Sequence, residues 1–198
     1  MPSGSPESRS LILRIAEPRD GAAFAAIYGP IVRDTFISFE TDPPSAEAMA
    51  ERVRQKLPTH PWLAAERDGR VIGYAHAGPF RDRAAYRWSV DVTPYVHGDA
   101  RGGGVGRRLY EALFAILKLQ GFRSAFAGVA LPNPRSVGLH EAFGFELVGV
   151  YREVGFKHGG WRDVGWWRLG LSDDPAPPAE PVAFADLRAS EALRTILR

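Results

Sequence analysis

The 198-residue sequence contains no cysteine. This absence excludes disulfide bonds, a cysteine nucleophile and thiolate metal ligands. No apolar run approaches the ~20 residues that cross a bilayer, and the first ten residues lack the apolar segment of a signal peptide. The 25 Lys and Arg residues are balanced by 23 Asp and Glu residues without a long basic block, which argues against nucleic-acid binding. We therefore expect a cytoplasmic protein that binds neither nucleic acid nor membranes.

Histidine, another common metal ligand, occurs at five scattered positions without an HExxH motif or paired spacing, so we predict no metal site. The hydrophobic fraction of 45% is enough for a sizeable core, and the length suits one domain. We expect a flexible N-terminus over residues 1–10, one domain over residues 11–171 and an extension over residues 172–198. The extension begins with the Pro-rich linker SDDPAPPAEP. Its remainder, FADLRASEALRTILR, is expected to form one terminal amphipathic helix that docks on the body or on a partner. The alternative is a frayed tail.

Apolar periodicity and turn signals predict the element order β-α-(α)-β-β-β-α-β-α-β-β. Ser45 is placed to cap the second helix, and Asp68-Gly69 favours a tight hairpin turn. A long strand is predicted over residues 84–96, and a helix from about residue 104 to residue 120. Three consecutive strands followed by a β-α-β unit predict a mixed sheet covered by helices.

The stretch HGDARGGGVGRRLYEAL, residues 97–113, follows a predicted strand and opens a predicted helix. It matches neither the Walker A loop GxxxxGK[ST] nor the dinucleotide fingerprint GxGxxG, whose last glycine is replaced by Arg107. The remaining spacing is Arg101-x-x-Gly104-x-Gly106. Unpaired N–H groups and the positive end of a helix dipole converge there, which suits a pyrophosphate. The alternative is a flexible turn with incidental glycines.

In this context the spacing resembles the acetyl-CoA signature of the GNAT N-acetyltransferases. The segments YAHAGPFRDRAAYRW, LPNPRSVGLHEAFGF and FKHGGWRDVGWW resemble, more closely, the phosphinothricin and methionine sulfoximine acetyltransferase group. The similarity extends from about residue 13 to residue 171. It implies an α/β (α+β) fold of the GNAT type, with a mixed, splayed central sheet covered by helices on both faces. It also implies acetyl-CoA as co-substrate, a small-molecule amine as acceptor and a homodimer.

The resemblance places acetyl-CoA against the long strand and the glycine loop. The cofactor-binding residues that it implies are Tyr95, Val96, Arg101, Gly102, Gly103, Gly104, Val105, Gly106, Asn133 and Ser136. A backbone N–H near Tyr95 or Val96 is expected to polarise the thioester carbonyl, and Asn133 has the alternative role of a simple helix cap. Several positions depart from the family pattern, and among them Pro134-Arg135 stands where Asp-Pro is more usual. Pro94 lacks an N–H, so either the cofactor does not use that position, or one hydrogen bond is lost, or a bulge removes Pro94 from the cofactor edge. Gly102 stands where close relatives often have a basic residue.

Two side chains are candidates for catalysis. Asp91 lies within the predicted long strand, where a buried carboxylate is costly without a purpose, and it matches a family position that usually carries Glu. We expect this shorter base to act through a water; the alternative is a solvent-facing side chain. His140 matches a position where many GNAT enzymes have a Tyr that protonates the thiolate, and its ordinary pKa of about 6.5 suits that role. Alternatively, His140 positions the amine, or it is a helix histidine bonded to a backbone carbonyl.

The acceptor site is expected near the third strand. Arg81 and Arg83 follow that strand and suit the carboxylate and the phosphinate or sulfoximine end of an amino acid, because a guanidinium pairs bidentately with such groups. Alternatively, both are solvated loop residues. Thr35 and Phe36 are expected to line the same pocket.

The sequence indicates an N-acetyltransferase for a small amino-acid analogue such as phosphinothricin or methionine sulfoximine, with a role in detoxification or resistance. Two alternatives stay open. The acceptor is another amine, such as a polyamine, an antibiotic or a peptide N-terminus, or the protein is an acyl-CoA sensor without turnover.

Overall fold

The structure is a computed structural model that describes residues 10–198, so the predicted flexible N-terminus lies almost entirely outside the described residues. The strands are β1 (Ile12–Ile15), β2 (Trp62–Arg67), β3 (Arg70–Pro79), β4 (Ser89–Val96), β5 (Ser124–Leu131), β6 (Glu146–Lys157) and β7 (Gly160–Gly170). The helices are α1 (Gly21–Asp34), α2 (Ala46–Lys56), α3 (Val105–Gln120), α4 (Pro134–Glu141), α5 (Phe184–Leu187) and α6 (Glu191–Ile196). Within residues 10–198, no helix is long and apolar enough to cross a membrane.

The strands form one sheet in the order β1-β2-β3-β4-β5-β7-β6. β4 and β5 are parallel neighbours, and all the other neighbouring strands are antiparallel. The β4–β5 pairing extends only from Ser89 opposite Ser124 to Asp91 opposite Phe126. Beyond Asp91 the two strands separate and leave a split in the middle of the sheet. The predicted mixed and splayed sheet is therefore confirmed.

Helices cover both faces of this sheet, as predicted. Tyr74 of β3 packs its ring against Phe24 of α1, with 4.6 Å between the ring centroids. A side chain at the preceding residue, Gly73, would instead meet Val105 and Leu109 of α3. Because neighbouring residues of a strand point to opposite faces, α1 and α3 lie on opposite sides of the sheet.

Several local predictions are confirmed. Asp68 and Gly69 both have positive φ angles, of 54° and 72°, which is the conformation that a type I′ hairpin turn requires. The Ser45 hydroxyl accepts a hydrogen bond from the Ala48 amide at the start of α2. Helix α3 ends at Gly121, which adopts a left-handed conformation with φ 85°.

The predicted long strand over residues 84–96 is wrong in its first half, because β4 begins only at Ser89. Ala84–Tyr86 form one turn of 3₁₀ helix. The two residues that follow this turn are held by the C-terminal extension. Arg87 forms an ion pair with Glu180, and the Trp88 indole donates to the Ala179 carbonyl. These contacts join residues more than 90 positions apart, so local sequence patterns did not reveal them.

The C-terminal extension docks on the body and contains two short helices in place of the single predicted one. Phe184 of α5 is fully buried, and Leu193 of α6 is 1% exposed. The extension also pairs with the backbone of the body. Val182 donates to the Gln120 carbonyl, and Phe184 donates to the Thr59 carbonyl.

Candidate active site

The split between β4 and β5 opens into a cleft of about 650 Å³. Backbone and side chains of the separated strands form its two walls, over residues 92–96 and 127–130. The glycine loop and the start of α3 close one end, and Ile31 and Ile37 lie at the α1 end. All but one of the predicted cofactor-binding residues line this cleft: Tyr95, Val96, Arg101, Gly102, Gly104, Val105, Gly106, Asn133 and Ser136. Gly103 is the exception.

The glycine loop forms an open cradle at the start of α3. Gly102 and Gly104 have positive φ angles of 79° and 75°, and a Cβ at either residue would stand in open space among the described residues. Gly104 caps the helix without a side chain, and the first helical hydrogen bond runs from the Arg108 amide to the Gly104 carbonyl. The amides of the first helical turn therefore have no partner within the helix. This donor set fits a pyrophosphate.

Three arginines add positive charge around this cradle. Arg101, Arg107 and Arg135 all line the cleft, and the Arg101 guanidinium also donates to the Val96 carbonyl at 3.3 Å. Although Gly102 itself carries no charge, these three cationic side chains therefore remain close to the unpaired amides.

The register of β4 decides which of its backbone groups face the cleft. The Phe80 amide donates to the Ser89 carbonyl, and the His97 amide donates to the Ile72 carbonyl. Because antiparallel pairing alternates, the odd-numbered residues of β4 bond to β3, and the even-numbered residues direct their backbone groups into the split. The N–H that faces the cleft near the predicted thioester site is therefore that of Val96. The Tyr95 amide faces β3.

Pro94 lies on the cleft side of β4. The pairing of β4 with β3 is continuous at this residue, and Ala75 of β3 stands opposite Pro94. Among the described residues, therefore, no bulge moves Pro94 away from the cleft edge of β4. The cleft edge of β4 keeps the carbonyls of Val92, Pro94 and Val96, but only two of the three residues carry an N–H.

His140 is 2% exposed and lines the cleft from α4. Its Nδ1 lies 2.7 Å from the Ser136 carbonyl, and its Nε2 lies 2.8 Å from the Tyr110 hydroxyl. A carbonyl only accepts, so we assign the proton of the neutral ring to Nδ1, and Nε2 accepts from Tyr110. Burial lowers the pKa of His140. The ring is thus a neutral imidazole at neutral pH, with partners on both nitrogens. The contact with the Ser136 carbonyl is the one that its alternative role of a helix histidine predicts, and the ring also lines the cleft.

Tyr110 was not predicted as part of the site. Its side chain is fully buried, and its hydroxyl lies between His140 and the Val92 carbonyl, 3.5 Å from the latter. Burial raises the pKa of this hydroxyl well above 10, so Tyr110 is a neutral donor. In the sequence, Tyr110 lies beside the apolar stripe of α3 and has the pattern of a core residue. Only its contacts with α4 and β4, which the structure shows, indicate a role in the site.

Asn133 and Ser136 form the start of α4. The Asn133 carboxamide oxygen accepts from the Ser136 amide at 3.3 Å, so Asn133 caps this helix, which was its alternative role. Both residues also line the cleft, so the cap does not remove them from the cofactor side. The Ser136 hydroxyl lies 3.4 Å from His140 Nδ1.

Asp91 lies where the split begins, as the last residue of β4 that pairs with β5. Burial raises the pKa of its carboxyl group to about 6, against the opposing effects of the Val92 amide and of the positive charges of Arg81 and Lys56. Gly78 stands opposite Asp91 in the sheet, and the Lys56 ammonium covers Gly78, 3.0 Å from where a Cβ would lie. A base with a pKa close to neutral is suited to accept a proton from an amine.

Arg81 and Arg83 do not line the main cleft, and both are exposed. The Arg81 guanidinium lies over the rings of Phe80 and Trp166, at 4.5 and 5.2 Å from their centroids. It borders a second pocket of about 170 Å³ that Phe126 also lines. Because Phe126 stands opposite Asp91, this pocket is next to the start of the split. Arg83 instead precedes the 3₁₀ turn and is not part of this pocket.

Thr35 and Phe36 line neither of the two pockets, in contrast to the expectation from the sequence. The Thr35 hydroxyl donates to the Ile31 carbonyl at the end of α1, and the Phe36 ring is covered by the Arg162 guanidinium at 4.3 Å. Their neighbours Ile31 and Ile37 line the cleft instead. Among residues 10–198, no group of three His, Asp or Glu side chains is placed to hold a metal ion.

Comparisons with known proteins agree with this geometry. Residues 13–166 match the family described as acetyltransferase (GNAT) domain. The phosphinothricin N-acetyltransferase of Streptomyces viridochromogenes is 40% identical over 88% of this chain and 94% of its own length. The L-methionine sulfoximine/L-methionine sulfone acetyltransferase of Salmonella typhimurium is 31% identical over 85% of this chain and 99% of its own length.

A solved structure gives the same result. The crystal structure of a GNAT superfamily phosphinothricin acetyltransferase from Sinorhizobium meliloti, in complex with acetyl-CoA, superimposes with a TM-score of 0.82 at 36% identity. The match covers 87% of this chain and 95% of that one.

Proposed function

The chain belongs to the GNAT family of acetyltransferases and is an acetyl-CoA-dependent N-acetyltransferase, and we propose that its acceptor is a small amino-acid analogue such as phosphinothricin or methionine sulfoximine. Acetyl-CoA supplies an acetyl group activated as a thioester. The observation that carries this proposal is the continuous cleft, in which the open amide cradle at Gly104 leads to the split beside Asp91. The names of two groups of relatives support the acceptor class.

In this proposal three groups share the chemistry. The Val96 N–H polarises the thioester carbonyl. Asp91 takes a proton from the acceptor amine through a water, for which its raised pKa of about 6 is well suited. His140 is neutral at rest, and its protonated form delivers a proton to the leaving thiolate and is itself replenished from solvent, into which Asp91 releases the proton taken from the amine. Because burial lowers the pKa of His140, this protonated form is a stronger acid than an ordinary imidazolium. The Tyr110 hydroxyl holds the ring in either protonation state, since it can donate to Nε2 or accept from it.

We assign the anionic end of the acceptor to Arg81. Its charge acts on Asp91 and lowers the pKa of that carboxyl group, and its guanidinium borders the pocket next to the start of the split. Arg83 is exposed and outside both pockets, so Arg83→Ala is a matched control. We expect Arg81→Ala to lower kcat/KM by about 10–150-fold for an anionic acceptor, the loss of one charged hydrogen bond. A cationic acceptor should show no loss.

The deciding experiment measures thiol release from acetyl-CoA with a panel of amines. The panel contains phosphinothricin, methionine sulfoximine, a polyamine, an aminoglycoside and a peptide. The proposal expects the two amino-acid analogues to give the highest kcat/KM. Preference for another amine would contradict the proposed acceptor, and acetyl-CoA binding without thiol release for any amine would point to a sensor.

We further propose a homodimer that forms along β6. This strand is at the edge of the sheet, and long, apolar edge strands are open to pairing with another chain. Five of its large apolar side chains are more than half exposed, at Leu147, Val148, Tyr151, Val154 and Phe156. Analytical ultracentrifugation should show a dimer that Phe156→Asp dissociates; a monomeric wild type would contradict the proposal.

We also propose that residues 11–171 form the catalytic domain and that the enzyme acts in the cytoplasm, where acetyl-CoA is available, in detoxification or resistance. Expression in a host sensitive to phosphinothricin tests the last point. Survival should require Asp91 and should be lost with Asp91→Asn.

A further inference from the structure

Lys157, the last residue of β6, has its ammonium group buried among three backbone carbonyls. Its Nζ lies 2.6 Å from the Val32 oxygen, 2.7 Å from the Ser38 oxygen and 2.7 Å from the Glu40 oxygen. The residue is only 8% exposed. An ammonium has three N–H donors and no acceptor, so each of its protons has one carbonyl partner. Burial lowers the pKa of this lysine, and the charge of Glu40 opposes that effect.

These three carbonyls belong to the end of α1 and the segment that follows it, residues 35–40, which we call the α1 loop. Val32 is among the last four residues of α1, whose carbonyls lack helical partners and carry the negative end of the helix dipole. Lys157 therefore caps α1 and, with the same group, holds both Ser38 and Glu40. The hydrogen bonds cross between 117 and 125 positions of sequence.

The other side of the α1 loop is held by α1 and α2. The Glu40 carboxylate accepts two hydrogen bonds from Arg52, both at 2.9 Å, and one from the Tyr28 hydroxyl at 3.0 Å. Tyr28 also bonds to the Ser38 hydroxyl, and its ring packs on Tyr95 of β4 at 4.8 Å. The Glu40 side chain is thus satisfied without Lys157, whose ammonium is free to bind the backbone.

The α1 loop reaches the cleft through Ile37, which lines it together with Ile31 of α1. The loop is also in close contact with β6, because a Cβ at Gly155 would collide with the Phe39 ring. Gly155 and Lys157 are two residues apart on β6. The β6–β7 hairpin and the α1 loop are further joined by His158, whose Nε2 lies 3.1 Å from the Thr35 carbonyl, and by Arg162, which covers Phe36. All of these contacts are next to the end of the cleft opposite the glycine cradle.

We propose that Lys157 is a positioning residue that holds the α1 loop as a wall of the acceptor site, an inference that rests on the proposed acetyltransferase function. Lys157 acts through the backbone of the loop, and Ile37 carries its effect to the cleft. The cradle and the Val96 amide lie on other elements. Loss of Lys157 should therefore affect the acceptor and leave acetyl-CoA binding intact.

The test compares Lys157→Met with Lys118→Met, which removes an exposed lysine of α3. We expect Lys157→Met to raise the acceptor KM and to lower kcat/KM at least tenfold, with an acetyl-CoA Kd within about twofold of wild type by calorimetry. Hydrogen exchange should accelerate in the peptide that covers residues 35–41. Lys157→Arg, which keeps the charge, should restore part of the acceptor kcat/KM. Lys118→Met should match wild type in every measurement.

A second variant guards against a general loss of folding. Gly155→Ala leaves Lys157 in place and displaces Phe39, so it should also raise the acceptor KM while acetyl-CoA binding is kept. An unchanged acceptor KM with unchanged exchange in Lys157→Met would overturn the inference, and so would an equal loss of acetyl-CoA binding. The kinetics use whichever amine the wild type acetylates best, and exchange and calorimetry need no acceptor. A wrong acceptor class would therefore appear in the wild-type panel, and a wrong role for Lys157 would appear in the variants.

Discussion

Replacement of Asp91 by Asn should make the protein more stable while it removes activity. The carboxyl group has a pKa of about 6 in the folded protein, against an ordinary value of 3.8. Because the folded state binds this proton more tightly than the unfolded state, Asp91 favours folding at low pH, and that stability is lost as the pH rises through about 6. At about 1.4 kcal/mol for each pH unit, the ionised carboxylate costs about 3 kcal/mol at pH 8.

The magnitude of this effect depends on pH in a specific way. Asn cannot ionise, but its carbonyl can still accept from the Val92 amide that contacts Asp91. Asp91→Asn should therefore exceed the wild type in free energy of unfolding by up to about 3 kcal/mol at pH 8 and by about half of that at pH 5. The difference should approach zero at pH 3, where Asp91 is protonated in both states.

Urea unfolding at several pH values measures this difference, and Asp99→Asn is a matched control because the Asp99 side chain is 86% exposed. In the same variant, kcat should fall by about 10²–10⁴-fold at pH 7 and recover at high pH, where the amine deprotonates without help. A stability difference that does not change between pH 8 and pH 4 would refute the raised pKa, and a wild-type kcat would refute the role of Asp91 as base.

Three further outcomes are expected. Gly104→Val should abolish acetyl-CoA binding in calorimetry because its side chain fills the cradle. Gly159→Val, which introduces the same backbone strain at φ 72° in a distant turn, should bind normally, and equal binding by both variants would exclude the cradle as the pyrophosphate site. Tyr110→Phe leaves the buried His140 Nε2 without its donor, so it should lower the free energy of unfolding by about 1–3 kcal/mol and lower kcat about tenfold, with an unchanged acetyl-CoA Kd. A wild-type pH–rate profile in this variant would show that Tyr110 is only structural. Phe184→Ala should lower the free energy of unfolding by about 3–5 kcal/mol in urea titration, and a change below 1 kcal/mol would mean that the extension does not dock in solution.

Much of the fold could be predicted because its signals are local. Asp68-Gly69 specifies its own turn, and Ser45 caps its own helix, so both were read correctly. The start of β4 was not predictable in this way. Residues 84–86 form a 3₁₀ turn, and the Trp88 indole is bonded to Ala179 of the extension, a distant partner that the local sequence does not indicate.

The same distinction applies to the site. The glycine loop is one continuous stretch, and its residues reach the cleft almost as predicted. Tyr110 and Lys157 act through partners 30 or more residues away, so their roles could not be derived from spacing alone. Arg81 and Arg83 are two residues apart in the sequence, yet a 3₁₀ turn after Arg83 separates their surroundings.

Pro94 has a consequence for the protein before it binds its co-substrate. A split sheet exposes a strand edge in the middle of the molecule, and such edges can pair with an extended segment of another chain and start aggregation. Pairing along β4 would need consecutive donors on the residues that face the cleft, and Pro94 interrupts them. The missing N–H therefore protects the open edge against foreign strands, while a ligand that needs only the flanking amides and the carbonyls can still bind there.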